Sequence, residues 1–153
     1  MIEVENIKNN IDDLKEVMDL IYDEWGSFFS KSKEEKMQKI KNSIENQLPF
    51  PQIYVMKEKG KIIGSFTFKE HDLDEGEFSS LSPWLACVII KKDLRGKGYG
   101  REILHQIDKV AKELYSHLYL FTKHVGYYEK IDFKFIKEII HYGEVNRVYK
   151  KEY

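Results

Sequence analysis

The chain has 153 residues, of which 42% are hydrophobic and 33% charged, and this is enough apolar content to bury the core of one globular domain, 1–153. A formal net charge of -1 provides no basic excess for bulk attachment to nucleic acid or to a membrane surface, and the single cysteine, Cys87, leaves no partner for an internal disulfide. The start MIEVENIKNN has neither half of a signal peptide, and the longest apolar run, Trp84 to Ile90, is too short to span a membrane, so a soluble cytoplasmic protein is expected.

Helices are expected first. Ile11, Leu14, Met18, Ile21 and Trp25, with Val17 and Tyr22 beside them, keep the three-four spacing of one helical face, and Asn10 ahead of Asp12 and Asp13 suits its start. Ser32-Lys33-Glu34-Glu35 reads as a capping box, followed by Met37, Ile40, Ile44 and Leu48 on a second helix that Pro49 and Pro51 would end. Strands over 52–57 and 61–69 are expected to turn at Lys59-Gly60. Glu70, Asp72, Asp74, Glu75 and Glu77 then form an acidic surface loop. The continuous apolar run PWLACVIIK predicts a central strand covered on both faces. Ile103, Leu104, Ile107, Val110, Ala111 and Leu114 draw a third amphipathic helix, and LYLFT (118–122) a second buried strand, which together suggest a parallel crossover. A short helix around Val125 to Ile131 and a final hairpin turned at Gly143-Glu144 complete the chain.

Between the central strand and the third helix stands DLRGKGYG, with three of the nine glycines in five positions. A glycine-rich turn at a helix start presents backbone N–H groups at the positive end of the helix dipole, which makes a seat for an anion. The order R-G-x-G-x-G fits neither a Walker loop nor a dinucleotide fingerprint. On the residues alone, phosphate binding and a purely structural tight turn both remain open.

VIIKKDLRGKGYGREIL resembles the acyl-CoA signature of the GCN5-related N-acetyltransferases (GNAT), [RQ]-x-x-G-x-[GA], matched by Arg95, Gly98 and Gly100. The order of elements, the segment YYEKIDF and the C-terminal hairpin also follow that family, and SPWLACVII with LYLFT looks like a broad bacterial subgroup of it. The resemblance implies an α/β (α+β) GNAT fold: a mixed, mostly antiparallel sheet with a splayed central parallel strand pair and flanking helices. It implies acetyl-CoA as cosubstrate and no metal, with the pyrophosphate held by backbone N–H groups across Arg95, Gly96, Lys97, Gly98, Tyr99, Gly100 and Arg101. The pantetheine arm would lie along Val88, Ile89 and Ile90.

Acetyl transfer to an amine needs a neutral nucleophile, a stabilised oxyanion and a proton for the leaving thiolate. An alkylamine of pKa near 10.4 is neutral in about one molecule per few thousand at pH 7, a handicap of roughly 4 to 5 kcal/mol, so a base must take the proton. The resemblance implies the Val88 N–H as the oxyanion donor and Tyr128, matching the tyrosine of the family's FYEKLGF segment, as general acid. Asp132 stands where the family has a glycine, and the asparagine often found upstream of the tyrosine is absent from TKHVGYY. Some members carry a glutamate where this chain has Trp84, which makes Glu70 and Asp72 the candidate bases, with His71 beside them. Each of these is also readable as a solvated loop charge, and Tyr128 as ordinary packing. His124 is a weaker candidate, the five histidines lack metal-ligand spacing, and Cys87 reads as a small core residue.

The expected activity is direct transfer of an acetyl group, in a ternary complex, to the primary amine of a small and cationic molecule. Trp25, Phe29, Glu70 and Trp84 would line the acceptor site. The alternatives are acetylation of a protein N-terminus or lysine, and a non-catalytic acyl-CoA sensor. The chain is expected to be a monomer or homodimer, without nucleic-acid or membrane partners.

Overall fold

In a computed structural model describing residues 1–74 and 76–153, the strands are β1 (Ile2–Asn6), β2 (Gln52–Glu58), β3 (Lys61–Lys69), β4 (Trp84–Ile90), β5 (His117–Thr122), β6 (Lys134–His141) and β7 (Glu144–Glu152). The α-helices are α1 (Leu14–Trp25), α2 (Lys33–Glu45) and α3 (Tyr99–Leu114). Hydrogen bonding orders the mixed sheet β1-β2-β3-β4-β5-β7-β6, with β4 and β5 parallel at Trp84 and Tyr119 and the other recorded pairs antiparallel. This is the mixed, mostly antiparallel α/β arrangement with one parallel strand pair that the sequence leads one to expect.

The chain divides into two compact units: Met1–Phe68 with Cys87–Gly100, and Lys69–Ala86 with Arg101–Tyr153. In the first, the buried face of α1 (Leu14, Val17, Met18, Ile21) packs with Ile7, Ile40 of α2, and Ile53, Val55 and Ile62 of the β2–β3 pair. Ser32 caps α2 as the sequence suggests, its Oγ accepting the Glu35 N–H at 3.1 Å. In the second, Leu73, Phe78, Trp84, Tyr119 and Val148 form the core, with Leu81, Phe121 and Ile139 against it.

Several expectations are corrected. The chain starts with a strand, β1, rather than a helix. IEVEN has only two apolar residues to signal it, and the strand is fixed by pairing with β2 from Ile2↔Glu58 to Asn6↔Tyr54. Asn10 makes no side-chain cap, because Ile11–Asp13 forms a 3-10 turn and α1 begins only at Leu14. Ile11 is accordingly exposed. The second helix stops at Glu45, and Leu48 lies beyond it, half exposed, after Gln47 turns into the left-handed region. The short helix before the final hairpin is one 3-10 turn, Tyr128–Ile131. The acidic loop is not all surface, since Leu73 is buried within it and Phe78 directly after it. Glu75 lies outside the described residues.

Candidate functional site

The stretch after β4 leaves the strand through a 3-10 turn, Lys92–Leu94, and enters α3 at Tyr99. Gly96 and Gly98 adopt φ of +79° and +91°, conformations closed to most side chains, and a Cβ built on either would meet no protein atom within 4 Å. The glycines therefore answer to backbone conformation and to the open space in front of the turn, and not to packing against a neighbouring element. The first turn of α3 adds N–H groups that have no acceptor within a helix. Gly100 and Arg101 lie in that turn. An anionic group facing the glycines fits this cradle, with Lys97 inside the turn as a further cation.

Arg95 is fixed before it meets any ligand. Its Nε donates to the Ile90 carbonyl at 3.0 Å, and its Nη2 lies 3.5 Å from Glu24 Oε2 on the last turn of α1. These groups line a cavity of about 280 Å³ with Leu20, Asp23, Ile89, Lys91, Lys92 and Asp93. Three expected cofactor residues, Ile89, Ile90 and Arg95, thus share one cavity. Leu20, Lys91 and Lys92 were not singled out by the sequence, where Leu20 reads as one more apolar position in α1. The Tyr99 hydroxyl donates to Glu58 Oε1 of β2 at 2.6 Å.

Within β4, Cys87 takes a left-handed φ of 53°. For a non-glycine residue this costs about 1–2 kcal/mol, and such strain persists only where the surroundings enforce it. Around it, Trp84, Leu85 and Ala86 are buried, Cys87 and Val88 are half-buried, and Ile89 is buried again. Cys87 is thus a backbone irregularity as well as a packed thiol, and it stands directly before Val88.

Tyr128 opens its 3-10 turn almost fully buried, its ring 4.9 Å from that of Tyr127 and 6.1 Å from that of Phe133. Burial, with Tyr127 adding to it, pushes its hydroxyl well above the ordinary tyrosine range, so it holds its proton at neutral pH. Asp132, where the family has glycine, sits in the left-handed region at φ 67°, which aspartate tolerates better than most side chains.

The candidate bases differ. Asp72 is mostly buried and its Oδ1 meets Lys69 Nζ at 3.1 Å, whereas the Glu70 side chain is 65% exposed and lies 3.8 Å from His71 Nε2. Trp84 is fully buried, donating from Nε1 to the Leu81 carbonyl at 2.7 Å and packing on Tyr119, which makes it a core residue. In the first unit, Trp25 and Phe29 pack against the α1 core. One face of Phe29 is taken by Lys36 Nζ, 4.0 Å from the ring centroid. His124 is exposed, its N–H donating to Thr122 Oγ1 at 3.1 Å. Among the described residues no three histidine, cysteine or acidic side chains group to hold a metal ion, and no helix is long and apolar enough to cross a membrane.

The sequence pattern of the acetyltransferase (GNAT) family matches residues 14–133. Among solved structures, an N-acetyltransferase from Staphylococcus aureus Mu50 is similar at a TM-score of 0.73 and 15% identity, over 99% of this chain and 98% of that one. The yncA protein of Salmonella typhimurium, solved with its cofactor acetyl-CoA, is similar at 0.71 and 12%, over 99% and 93%. A spermidine N-acetyltransferase SpeG chimera from Vibrio cholerae and hSSAT is similar at 0.73 and 16%, over 99% and 95%. No curated protein sequence matches the chain.

Proposed function

Since this chain belongs to the acetyltransferase (GNAT) family, we propose that it moves the acetyl group of acetyl-CoA to the primary amine of a small cationic molecule, by direct transfer in a ternary complex. The observation that carries the reading is the glycine turn, with Gly96 and Gly98 at positive φ and open space where their Cβ atoms would stand. Backbone N–H groups from Arg95 to Arg101 hold the pyrophosphate there. The cavity-lining strand end, Ile89 and Ile90 with Val88 before them, receives the pantetheine arm. Acetyl-CoA, when bound, supplies a thioester whose carbonyl carbon takes the amine nitrogen and whose sulfur leaves.

The chain's own groups handle charge and protons. The Val88 N–H, directly after the left-handed Cys87, donates to the carbonyl oxygen as negative charge develops on it. Glu70 takes the amine proton, through water. Asp72, whose charge is already met by Lys69, is the lesser base. Tyr128 gives its hydroxyl proton to the departing sulfur, and burial keeps that proton in place until then. The acceptor is a cation because the stretch after β3 offers exposed carboxylate at Glu70, and spermidine, the substrate named for the SpeG chimera, has that chemistry.

The test is thiol release from acetyl-CoA against spermidine, neutral amines of like size, amino acids and lysine or N-terminal peptides. Fastest release with small cationic amines is expected. Preference for peptides would replace the substrate class, and tight acetyl-CoA binding with no release over any amine would make the protein a sensor.

A further inference from the structure

We propose that Glu129 is a positioning residue for Tyr128, its carboxylate fastening the turn that carries the phenol to strand β7. The inference rests on the reading of Tyr128 as proton donor.

A single 3-10 turn of four residues does not hold itself together in water, and its position must come from contacts outside it. The C-terminal side has them: the Asp132 N–H donates to the Glu129 carbonyl at 3.1 Å, the Phe133 N–H donates to the Tyr128 carbonyl at 3.3 Å, and Phe133 is buried. The N-terminal side is different. Lys123, His124, Val125 and Gly126 are all exposed, and the anchors there are the half-buried Tyr127 ring against Tyr128 and an exposed ion pair from Lys123 to Glu144 of β7.

The Glu129 carboxylate meets that need from two directions. Oε1 accepts the Gly126 N–H at 3.1 Å, and Oε2 accepts the Tyr149 hydroxyl at 2.9 Å. Tyr149 is a fully buried residue of β7, and its oxygen accepts in turn from Arg147 Nε at 2.9 Å, with the Arg147 guanidinium 4.0 Å above the Phe135 ring. Gly126, Glu129, Tyr149 and Arg147 thus form one connected line from the loop to a strand paired on both sides. Desolvation works against the charged carboxyl. Its own backbone N–H, Tyr149, Gly126 and the Arg147 charge outweigh that and hold it below the usual range, so both oxygens accept at neutral pH. A proton donor misplaced by about an ångström loses much of its effect, and this gives the fastening a catalytic consequence.

The experiment compares Glu129→Ala, Glu129→Gln, Tyr149→Phe, Tyr128→Phe and the double variant Tyr128→Phe with Glu129→Ala. In the ligand-free protein, amide exchange over residues 126–133 should quicken at least tenfold in Glu129→Ala and less in Glu129→Gln, with the remaining strands unchanged. Tyr149→Phe, which keeps the packing, should also loosen this segment. With acetyl-CoA and the best amine of the panel, Glu129→Ala should lower kcat about tenfold or more while acetyl-CoA affinity stays within twofold. The double variant should be no slower than Tyr128→Phe alone, as expected for two groups acting through one. Unchanged exchange over 126–133, or losses that multiply in the double variant, would overturn the inference while leaving Tyr128 as donor. Full activity in Tyr128→Phe would overturn the reading beneath it.

Discussion

Glu24 and Arg95 stand 71 residues apart in sequence and 3.5 Å apart in space, so the last turn of α1 is tied to the first residue of the glycine stretch. Arg95 is half-exposed in this pair, and its Nε is held independently by the Ile90 carbonyl. An anionic ligand at the turn competes with the Glu24 carboxylate for the guanidinium and is also repelled by it. Glu24→Gln should therefore strengthen acetyl-CoA binding by about twofold to fivefold at low salt, the scale of an exposed ion pair, with the gain shrinking as salt rises. Titration calorimetry at two ionic strengths checks this. Weaker binding in Glu24→Gln would show that the carboxylate positions Arg95 rather than opposing its ligand.

Gly98 and Gly60 allow conformation to be separated from ligand space. Both have positive φ, +91° and +76°, and beyond the adjoining residues neither would place a Cβ within 4 Å of a protein atom. Gly60 belongs to the β2–β3 turn and Gly98 to the proposed phosphate cradle. Alanine at either position should cost about 1–2 kcal/mol of stability from the left-handed backbone alone. Only Gly98→Ala should also lose acetyl-CoA affinity, by tenfold or more, and Gly98→Asp should abolish binding. Equal affinity in the two alanine variants would mean that the Gly98 turn faces no phosphate.

The sequence carried the glycine turn, α3 and the buried strands because each is written in local residue types: glycines in a row, a three-four apolar stripe, an unbroken apolar run. It carried β1 poorly, since that strand is secured by its partner. Lys57 of β2 reaches both Glu5 of β1, at 2.8 Å, and Asp13, at 2.6 Å, and such long-range pairing leaves no local mark. Cys87 is the sharper case. Nothing in WLACVII announces a left-handed residue, because cysteine has no preference for that conformation. Trp84 misled in the opposite way: a tryptophan at the position of a family glutamate looks like a binding residue, yet its size and its bond to Leu81 place it in the core.

The buried phenols predict alkaline behaviour. Desolvation pushes Tyr127 up to about 12, and Tyr128 goes higher still, against about 10 in an unfolded chain. Below pH about 10 both states hold these protons and stability does not depend on them. Above it the unfolded chain releases protons that the folded protein keeps, so stability falls as pH rises, by about 1.4 kcal/mol per pH unit for a phenol held as firmly as Tyr128. Partly exposed Tyr127 contributes less, because solvent screens it. Denaturant unfolding at pH 9, 10 and 11 should show the decline, with a shallower slope in Tyr128→Phe. Equal slopes would mean that Tyr128 ionises in the folded state as it does in the unfolded chain.

The charge preference of the acceptor turns on the carboxylates after β3 and on Lys69 at the end of that strand. Glu70 is exposed, Asp72 is held by Lys69 at 3.1 Å, and Glu77 is paired to Lys137 at 2.9 Å. The local field is thus a balance of carboxylates and lysines, and Lys69 is the group whose removal tips it while leaving both proposed bases in place. Lys69→Met should sharpen the preference, raising the ratio of rates for a dication over a neutral amine of equal size by about twofold to fivefold. Glu70→Gln with Asp72→Asn should flatten that ratio, whatever it does to the absolute rate. Both effects should fade with salt, since exposed attraction is screened over about 10 Å at 0.1 M. Ratios are the quantity to compare because they cancel any change in base strength common to all acceptors. A ratio unmoved by Lys69→Met and by the double variant would remove the acidic stretch from the acceptor's path and leave its charge to be read elsewhere.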